Sequence, residues 1–270
     1  PIMVKTREGR PIHIAGNKAA EFTGGGVNAR VNSSVLSLYD SNRAQSPFKN
    51  GEKSDWNTVD GEIVSELESI AEKGGAIRIL TSTIISPTER RAIDEFKAKY
   101  GNVEVVTYDA VSYSGILDAN EATFGKRVMP DLRFEKADVV VGVGADFLNG
   151  WFNSVVNMGR YGKKRNPNGK MSKHYQFETT MSLTGSNCDV RTAIKPSEVG
   201  NVLLALYKEL GGNVSASAGE YSDAVKAAAA SLKAARGKSI VVCGSNSTAD
   251  QTIVNAINET LGNIGSTVIV

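Results

Sequence analysis

Three features of the sequence predict an α/β fold of parallel sheets flanked by helices, preceded by a small N-terminal β-rich element. From Trp56 onward, helical and strand-like text alternates, which is the pattern of a parallel sheet covered by helices. Ala137-Asp-Val-Val-Val-Gly-Val-Gly144 is a near-continuous apolar run, as expected for a strand buried on both faces. Residues 2–16 alternate apolar and polar side chains on both sides of Glu8-Gly9, the period and turn of a β-hairpin.

After the hairpin, no period persists between Asn17 and Asn57 except over 31–39, which is expected to be a helix ending at Asp40. A helix over 59–73 ends at Gly74-Gly75 and precedes a buried-type strand at 76–81. Pro87 opens a helix that runs to Tyr100, and a strand at 103–108 follows. A helix near 113–124 leads to the apolar strand at 137–144, and the Gly-, Lys-, Arg- and Asn-rich stretch 159–173 reads as an exposed loop. Strand text returns at 174–177 and 189–194, and Pro196 starts a helix through Leu210. A turn at 213–219, an alanine-rich helix at 220–235, a strand at 239–243, a helix at 248–261 and a strand at 266–270 complete the chain, with no internal repeat. Three segments result: an N-terminal hairpin and irregular element (1–58), a first α/β segment (59–111) and a second, dinucleotide-binding-like α/β domain (112–270). Strand text at both ends leads to the expectation that the chain is a fragment of a longer one.

The totals narrow the function. Hydrophobic residues at 41% and charged residues at 22% describe a globular protein with enough chain to bury a substantial core. The net charge of +2 favours neither nucleic acid nor an anionic bilayer, and no apolar run is long enough to span a membrane. Two cysteines, Cys188 and Cys243, stand far apart in different segments, which excludes a CxxC site.

Glycines after a parallel strand let a ligand approach the backbone at a helix N-terminus, so Val141-Gly-Val-Gly-Ala-Asp-Phe147 is a candidate nucleotide cradle. Only Gly142 and Gly144 stand in line, short of the three glycines of a full fingerprint, and a simple tight turn is the alternative. Val241-Val-Cys-Gly-Ser-Asn-Ser-Thr248 makes a second such transition, in which Ser245, Ser247 or Thr248 can cap the next helix; it lacks the Gly-Lys-Ser/Thr ending of a phosphate loop. His13 and His174 have no neighbours at metal-ligand spacing and read as hydrogen-bonded structural residues. No Gly-x-Ser-x-Gly elbow exposes a nucleophile. Arg160-Tyr-Gly-Lys-Lys-Arg-Asn-Pro167 concentrates four positive charges, which either contact phosphate or an acidic protein surface or form a solvated loop.

Several segments, in order, resemble the large subunits of molybdopterin-dependent oxidoreductases. They are the hairpin Lys5-Thr-Arg-Glu-Gly-Arg-Pro-Ile-His-Ile-Ala-Gly-Asn17, then Trp56-Asn-Thr-Val-Asp60, the 137–146 strand and glycines, and Asn255-Ala-Ile-Asn-Glu-Thr-Leu-Gly-Asn-Ile-Gly265. Four stretches are similar to the molybdopterin-like domain of the iron–sulfur subunit of bacterial alternative complex III: Val27-Asn-Ala-Arg-Val-Asn-Ser-Ser-Val-Leu-Ser-Leu-Tyr-Asp40 with Arg43, Gly144-Ala-Asp-Phe-Leu-Asn-Gly-Trp151, Glu178-Thr-Thr-Met-Ser-Leu-Thr-Gly185 and Asn187-Cys-Asp-Val-Arg191.

The departures from the catalytic members matter most. Around 26–33 there is neither the Cys nor the Lys that the resemblance implies for a cluster and its pterin bridge, and two distant cysteines cannot hold an iron–sulfur centre. Gly144-Ala-Asp-Phe147 stands where relatives have Gly-x-Asn-Pro, so Asp146 puts a carboxylate near nucleotide phosphates. Lys195-Pro-Ser-Glu198 replaces a Pro-Gly-Thr-Asp element. In Val111-Ser-Tyr-Ser-Gly115, Ser112 or Ser114 is a conceivable molybdenum ligand, with helix capping as the alternative.

The resemblance therefore implies a structural scaffold with no catalytic residue, metal or cofactor of its own. Its expected setting is a quinol-oxidising respiratory complex, where it supports an adjoining iron–sulfur domain and other subunits. The iron–sulfur clusters and haem c of electron transport are expected elsewhere in that complex, and its place is peripheral, on the periplasmic face of the bacterial inner membrane. Ser114, Gly144, Asp146, Asn187 and Ser245 are the candidates for a vestigial pocket. Two other functions stay open: a catalytic molybdenum or tungsten bis-pterin oxidoreductase fragment, and a metal-free guanine-nucleotide module.

Overall fold

A computed structural model describes residues 1–270. Its strands are β1 (Ile2–Arg7), β2 (Arg10–Gly16), β3 (Phe48–Lys49), β4 (Glu52–Lys53), β5 (Ile77–Thr81), β6 (Val103–Thr107), β7 (Asp131–Leu132), β8 (Val139–Val143), β9 (Lys173–Glu178), β10 (Val190–Ala193), β11 (Ser239–Cys243) and β12 (Val268–Ile269). Its helices are α1 (Ala29–Ser33), α2 (Trp56–Glu72), α3 (Pro87–Tyr100), α4 (Ser114–Phe124), α5 (Ser154–Lys163), α6 (Leu183–Ser186), α7 (Val199–Glu209), α8 (Ser222–Ala234) and α9 (Thr248–Thr260). This is the α/β architecture the sequence predicts, with parallel sheets, flanking helices and an N-terminal hairpin. No helix is long and apolar enough to cross a membrane.

The chain divides into two compact units, one of residues 36–112 and one that joins 1–35 to 113–270. Such a division is discontinuous in sequence, which reading along the chain does not capture.

In the smaller unit, Asp55 and Ser86 cap α2 and α3 by accepting from the backbone amides of Thr58 and Glu89, and Pro87 supplies a preset first turn. β5 and β6 pair in parallel from Ile77 opposite Val103 to Thr81 opposite Thr107. Only Tyr100 and Val103 are buried among the apolar side chains of this unit. The short β3–β4 hairpin lies in text where no period was visible.

The larger unit opens with β1 and β2, paired antiparallel through a turn in which Glu8 and Gly9 both take positive φ, as a two-residue hairpin turn requires. Its centre is a four-stranded parallel sheet in the order β10-β9-β8-β11. Because side chains alternate along a strand, one face sends Val139, Val141, Val143, Tyr175, Phe177, Val241 and Cys243 into a core with α7, α8 and α9. The other face sends Val140, Ile240 and Val242 against Phe134, Phe147 and Tyr161. The result is three layers, with the β-branched run of β8 buried on both sides.

Three sequence expectations need correction here. The 31–39 helix is split, with α1 followed by a tighter turn of helix at Ser34–Leu38. The stretch 159–173 is a loop only in its later part, because α5 runs to Lys163 and carries Val156, Asn157 and Tyr161 into the interior. The last strand, expected over 266–270, is confined to Val268–Ile269 and pairs antiparallel with β7, Ile269 lying opposite Asp131.

Candidate functional site

In an open parallel sheet, ligands bind beyond the carboxyl ends of the strands, where the strand order reverses. Here the chain passes from β8 to β9 to β10 on one side and returns to place β11 on the other side of β8. The reversal therefore lies between β8 and β11, and the residues that follow those strands are Gly144 and Gly244. Gly144 has φ +64°, and a Cβ built on Gly244 would overlap the Gly144 carbonyl. The two loops thus touch backbone to backbone at the base of the crevice, and only glycine allows it.

The loop after β11 turns toward α4. The Gly115 amide donates to Asn246 Oδ1 (2.9 Å), and Asn246 Nδ2 donates to Ser114 Oγ (3.3 Å). Ser245 Oγ accepts from the Ser247 amide (3.1 Å), and the Ser245 carbonyl accepts from Gln251 Nε2 (2.6 Å). Ser247, not Ser245, caps α9 by accepting from the Asp250 amide (3.3 Å). The fold therefore gathers Ser114, Gly144 and Ser245 at one end of the sheet. Ser112 belongs to the other unit.

Asp146 is committed to α6. Its Oδ1 accepts from both the Thr184 hydroxyl (2.7 Å) and the Thr184 amide (3.1 Å), while Thr184 Oγ1 accepts from the Leu148 amide (3.0 Å). Thr184 is fully buried, so this carboxylate acts as a clasp between the β8 loop and α6. Asn187 lies apart from the group as well. Its carbonyl accepts from Arg165 Nη2 (3.2 Å) and sits 3.1 Å from Tyr161 Oη, beside the residues that serve the start of β9.

A polar row that the sequence reading missed runs along β9. His174, Gln176 and Glu178 share one face of the strand and are buried at 0%, 1% and 4% exposure. Glu178 accepts from Arg191 Nε (2.6 Å), from the Ser182 hydroxyl (2.6 Å) and from the Ser182 amide (3.2 Å). Burial alone would raise its carboxyl pKa, but the Ser182 and Arg191 hydrogen bonds outweigh it and hold the group below its ordinary value. Gln176 Nε2 reaches the Ala145 carbonyl (3.2 Å) and Glu178 Oε2 (3.5 Å), which leaves Gln176 Oε1 facing His174 Nε2 (3.3 Å).

That geometry assigns the histidine proton. Nε2 donates to Gln176, which leaves Nδ1 of the neutral ring an acceptor, and the one Tyr161 hydroxyl proton is shared between Nδ1 (2.9 Å) and the Asn187 carbonyl (3.1 Å). Burial lowers the His174 pKa to about 4, so the ring is neutral at pH 7. Gly142, read from sequence as part of a nucleotide cradle, instead makes room for this row, since a Cβ there would overlap Gln176 Oε1; Gly185 does the same for Glu178. The visible signal was a polar residue at every second position of a predicted strand, which also describes an ordinary half-exposed strand.

The basic run at 160–165 is largely spent inside the molecule. Arg160 pairs with Asp131, Lys164 with Asp138 (2.8 Å), and Arg165 with both oxygens of Asp189 (2.9 and 3.0 Å). Cys243 is buried, which pushes its thiol up to about 12, and its sulfur accepts from the Ser245 amide (3.3 Å). No group of three His, Cys, Asp or Glu side chains stands at metal-binding spacing. Around the crevice the chain thus offers hydroxyls, amides and a closed pair of glycine loops.

By sequence, the chain matches no protein-family model and no curated protein. By structure, it is similar to acetylene hydratase from Pelobacter acetylenicus, with a TM-score of 0.62 at 12% identity, over 100% of this chain and 43% of that one. It is also similar to the formyltransferase/hydrolase complex FhcABCD from Methylorubrum extorquens, solved with methylofuran, with a TM-score of 0.51 at 18% identity, over 76% of this chain and 55% of that one. The chain spans less than two thirds of either structure. At these identities the likeness is one of fold.

Proposed function

We propose that the chain is a non-catalytic scaffold built on a molybdopterin-type enzyme fold. In this reading it supports an iron–sulfur electron-transfer domain within a quinol-oxidising respiratory complex of the alternative complex III type, peripheral on the periplasmic face of the bacterial inner membrane. The setting rests on the sequence resemblance alone.

One observation carries the non-catalytic part: the polar groups nearest the candidate pocket are already engaged by the protein. Asp146 clasps Thr184, Asn246 holds Ser114 and Gly115, and the Gly144 and Gly244 loops close on each other. A bis-pterin metal centre needs a protein ligand and donors for its nucleotide phosphates. Ser114 is half-buried against Asn246, and the Asp146 carboxylate, an acceptor held by Thr184, is no donor for a phosphate. The residues present do not fit that group.

The test is metal and partner analysis of the assembly purified from its own membranes through a tag on this chain. Haem c and an iron–sulfur polypeptide are expected to co-purify, with molybdenum and tungsten far below one equivalent. Stoichiometric molybdenum or tungsten would replace the scaffold with a bis-pterin enzyme. Guanine nucleotide released on denaturation would point to the nucleotide-binding module.

A further inference from the structure

The end of the sheet opposite the crevice gathers positive charge. Lys173 opens β9, Lys238 precedes β11, and Asp138 precedes β8 between them; the Asp138 amide donates to the Lys238 carbonyl (2.6 Å) and the Lys173 amide to the Asp138 carbonyl (2.9 Å). Lys136, Lys164, Lys170 and Arg236 come in from the connections around these strand starts and complete two adjoining depressions of about 630 and 520 Å³. Six cations and one carboxylate line them. Asp138 is taken by Lys164 (2.8 Å) and Lys170 (2.7 Å), and neither Lys136 nor Lys238 has a carboxylate partner.

The bland explanation is that these cations only neutralise helix ends. α5, α8 and α9 all finish at this side, and Arg236 donates to the Thr260 carbonyl at the end of α9. Each helix end carries about half a negative charge, so three of them offset less than two of the five surplus charges on this face. The whole chain is only +2, so the rest of its surface is net acidic and the charge is segregated.

We infer that this amino-end face of the sheet binds an acidic segment of a partner protein, a short run of Glu and Asp. Separate lysine ammoniums suit dispersed carboxylates, because each is a point charge on a flexible stem. A compact phosphate ligand is better served by a helix N-terminus or an arginine fork, and here the helices present their C-termini. Single-stranded nucleic acid needs aromatic platforms, which the lining lacks, and a longer polyanion would run on to the acidic remainder of the surface. The inference is independent of the scaffold reading, since it uses none of the crevice residues.

The probe is a fluorescein-labelled Glu-rich dodecapeptide, titrated with the intact protein and followed by anisotropy. Binding is expected at low salt and should weaken as the Debye length shrinks. Lys136→Glu with Lys238→Glu should weaken it at least about tenfold, and the milder Lys136→Gln with Lys238→Gln should weaken it less. Lys97→Glu on α3, which reverses a charge in the other unit, should leave it unchanged. Absence of binding, or equal binding by the charge-reversed pair, overturns the inference. So does an equal loss in Lys97→Glu, or a single-stranded oligonucleotide that binds the same face more tightly than the peptide.

Discussion

Strands β8 and β11 pair in parallel over five residues with every position buried; β5 and β6 pair in the same sense over five residues yet leave Leu80 73% and Val106 40% exposed. The backbone hydrogen bonding is the same in both. What differs is the number of layers: the first pair has helices on one face and the Phe134–Phe147–Tyr161 cluster on the other, whereas alternate positions of the second face solvent. Propensity and pairing create a strand, and stability comes from what is stacked on it.

That difference can be broken most forcefully in the larger core. Leu206→Ala, at a fully buried position, should cost about 3 kcal/mol or more, read as a shift in denaturant midpoint, because the cavity adds to the lost transfer energy. A loss under about 1 kcal/mol would mean that this core is not the tightly packed one described.

Acid should act next. The His174 pKa is depressed to about 4, below the unfolded value of 6.5, so the unfolded chain binds the extra proton first. The stabilisation is complete above pH 6.5 and is lost as the pH falls toward 4, by a few kcal/mol in total. In His174→Gln, stability between those limits should flatten; an unchanged slope would assign it to other groups.

Gly142→Ala is expected to cost about 2 kcal/mol by displacing the buried Gln176 amide, while the stability of Gly150→Ala, where nothing lies near a Cβ, should barely change. Equal effects at the two sites would remove the assigned role of Gly142. Smallest of all, Leu80→Ala should lie within about 0.5 kcal/mol of wild type, since that side chain is mostly in solvent. Amide hydrogen exchange sharpens the whole comparison: β5 and β6 should exchange orders of magnitude faster than β8 and β11.

Much of the fold was legible because its signals are local. Pro87 opens α3, Ser247 is one of the three capping candidates for α9, Gly9 turns the hairpin, and the valines of β8 mark a two-sided strand, whereas Asp55 caps α2, which begins three residues ahead of the start expected at 59. The register of β12 against β7 was not legible, because a two-residue strand carries too little text to reveal its partner across the unit. The candidate site divides in the same way. Ser114, Gly144 and Ser245 follow from strand order, since residues just past neighbouring strand ends must be neighbours. Asp146 and Asn187 were misplaced because their partners are set by tertiary packing: Thr184 lies 38 positions from Asp146, and Arg165 lies 22 from Asn187.

The pairing of β7 with β12, together with the packing of α4 on α9, ties residues 114–132 to residues 248–269. Asn255 Nδ2 donates to Asn120 Oδ1 (3.0 Å) across 135 positions of sequence, and Leu132 and Val268 are both buried in this seam. Contacts that join stretches so distant cannot be released one stretch at a time, so the two should protect each other's amides and exchange as a single cooperative block.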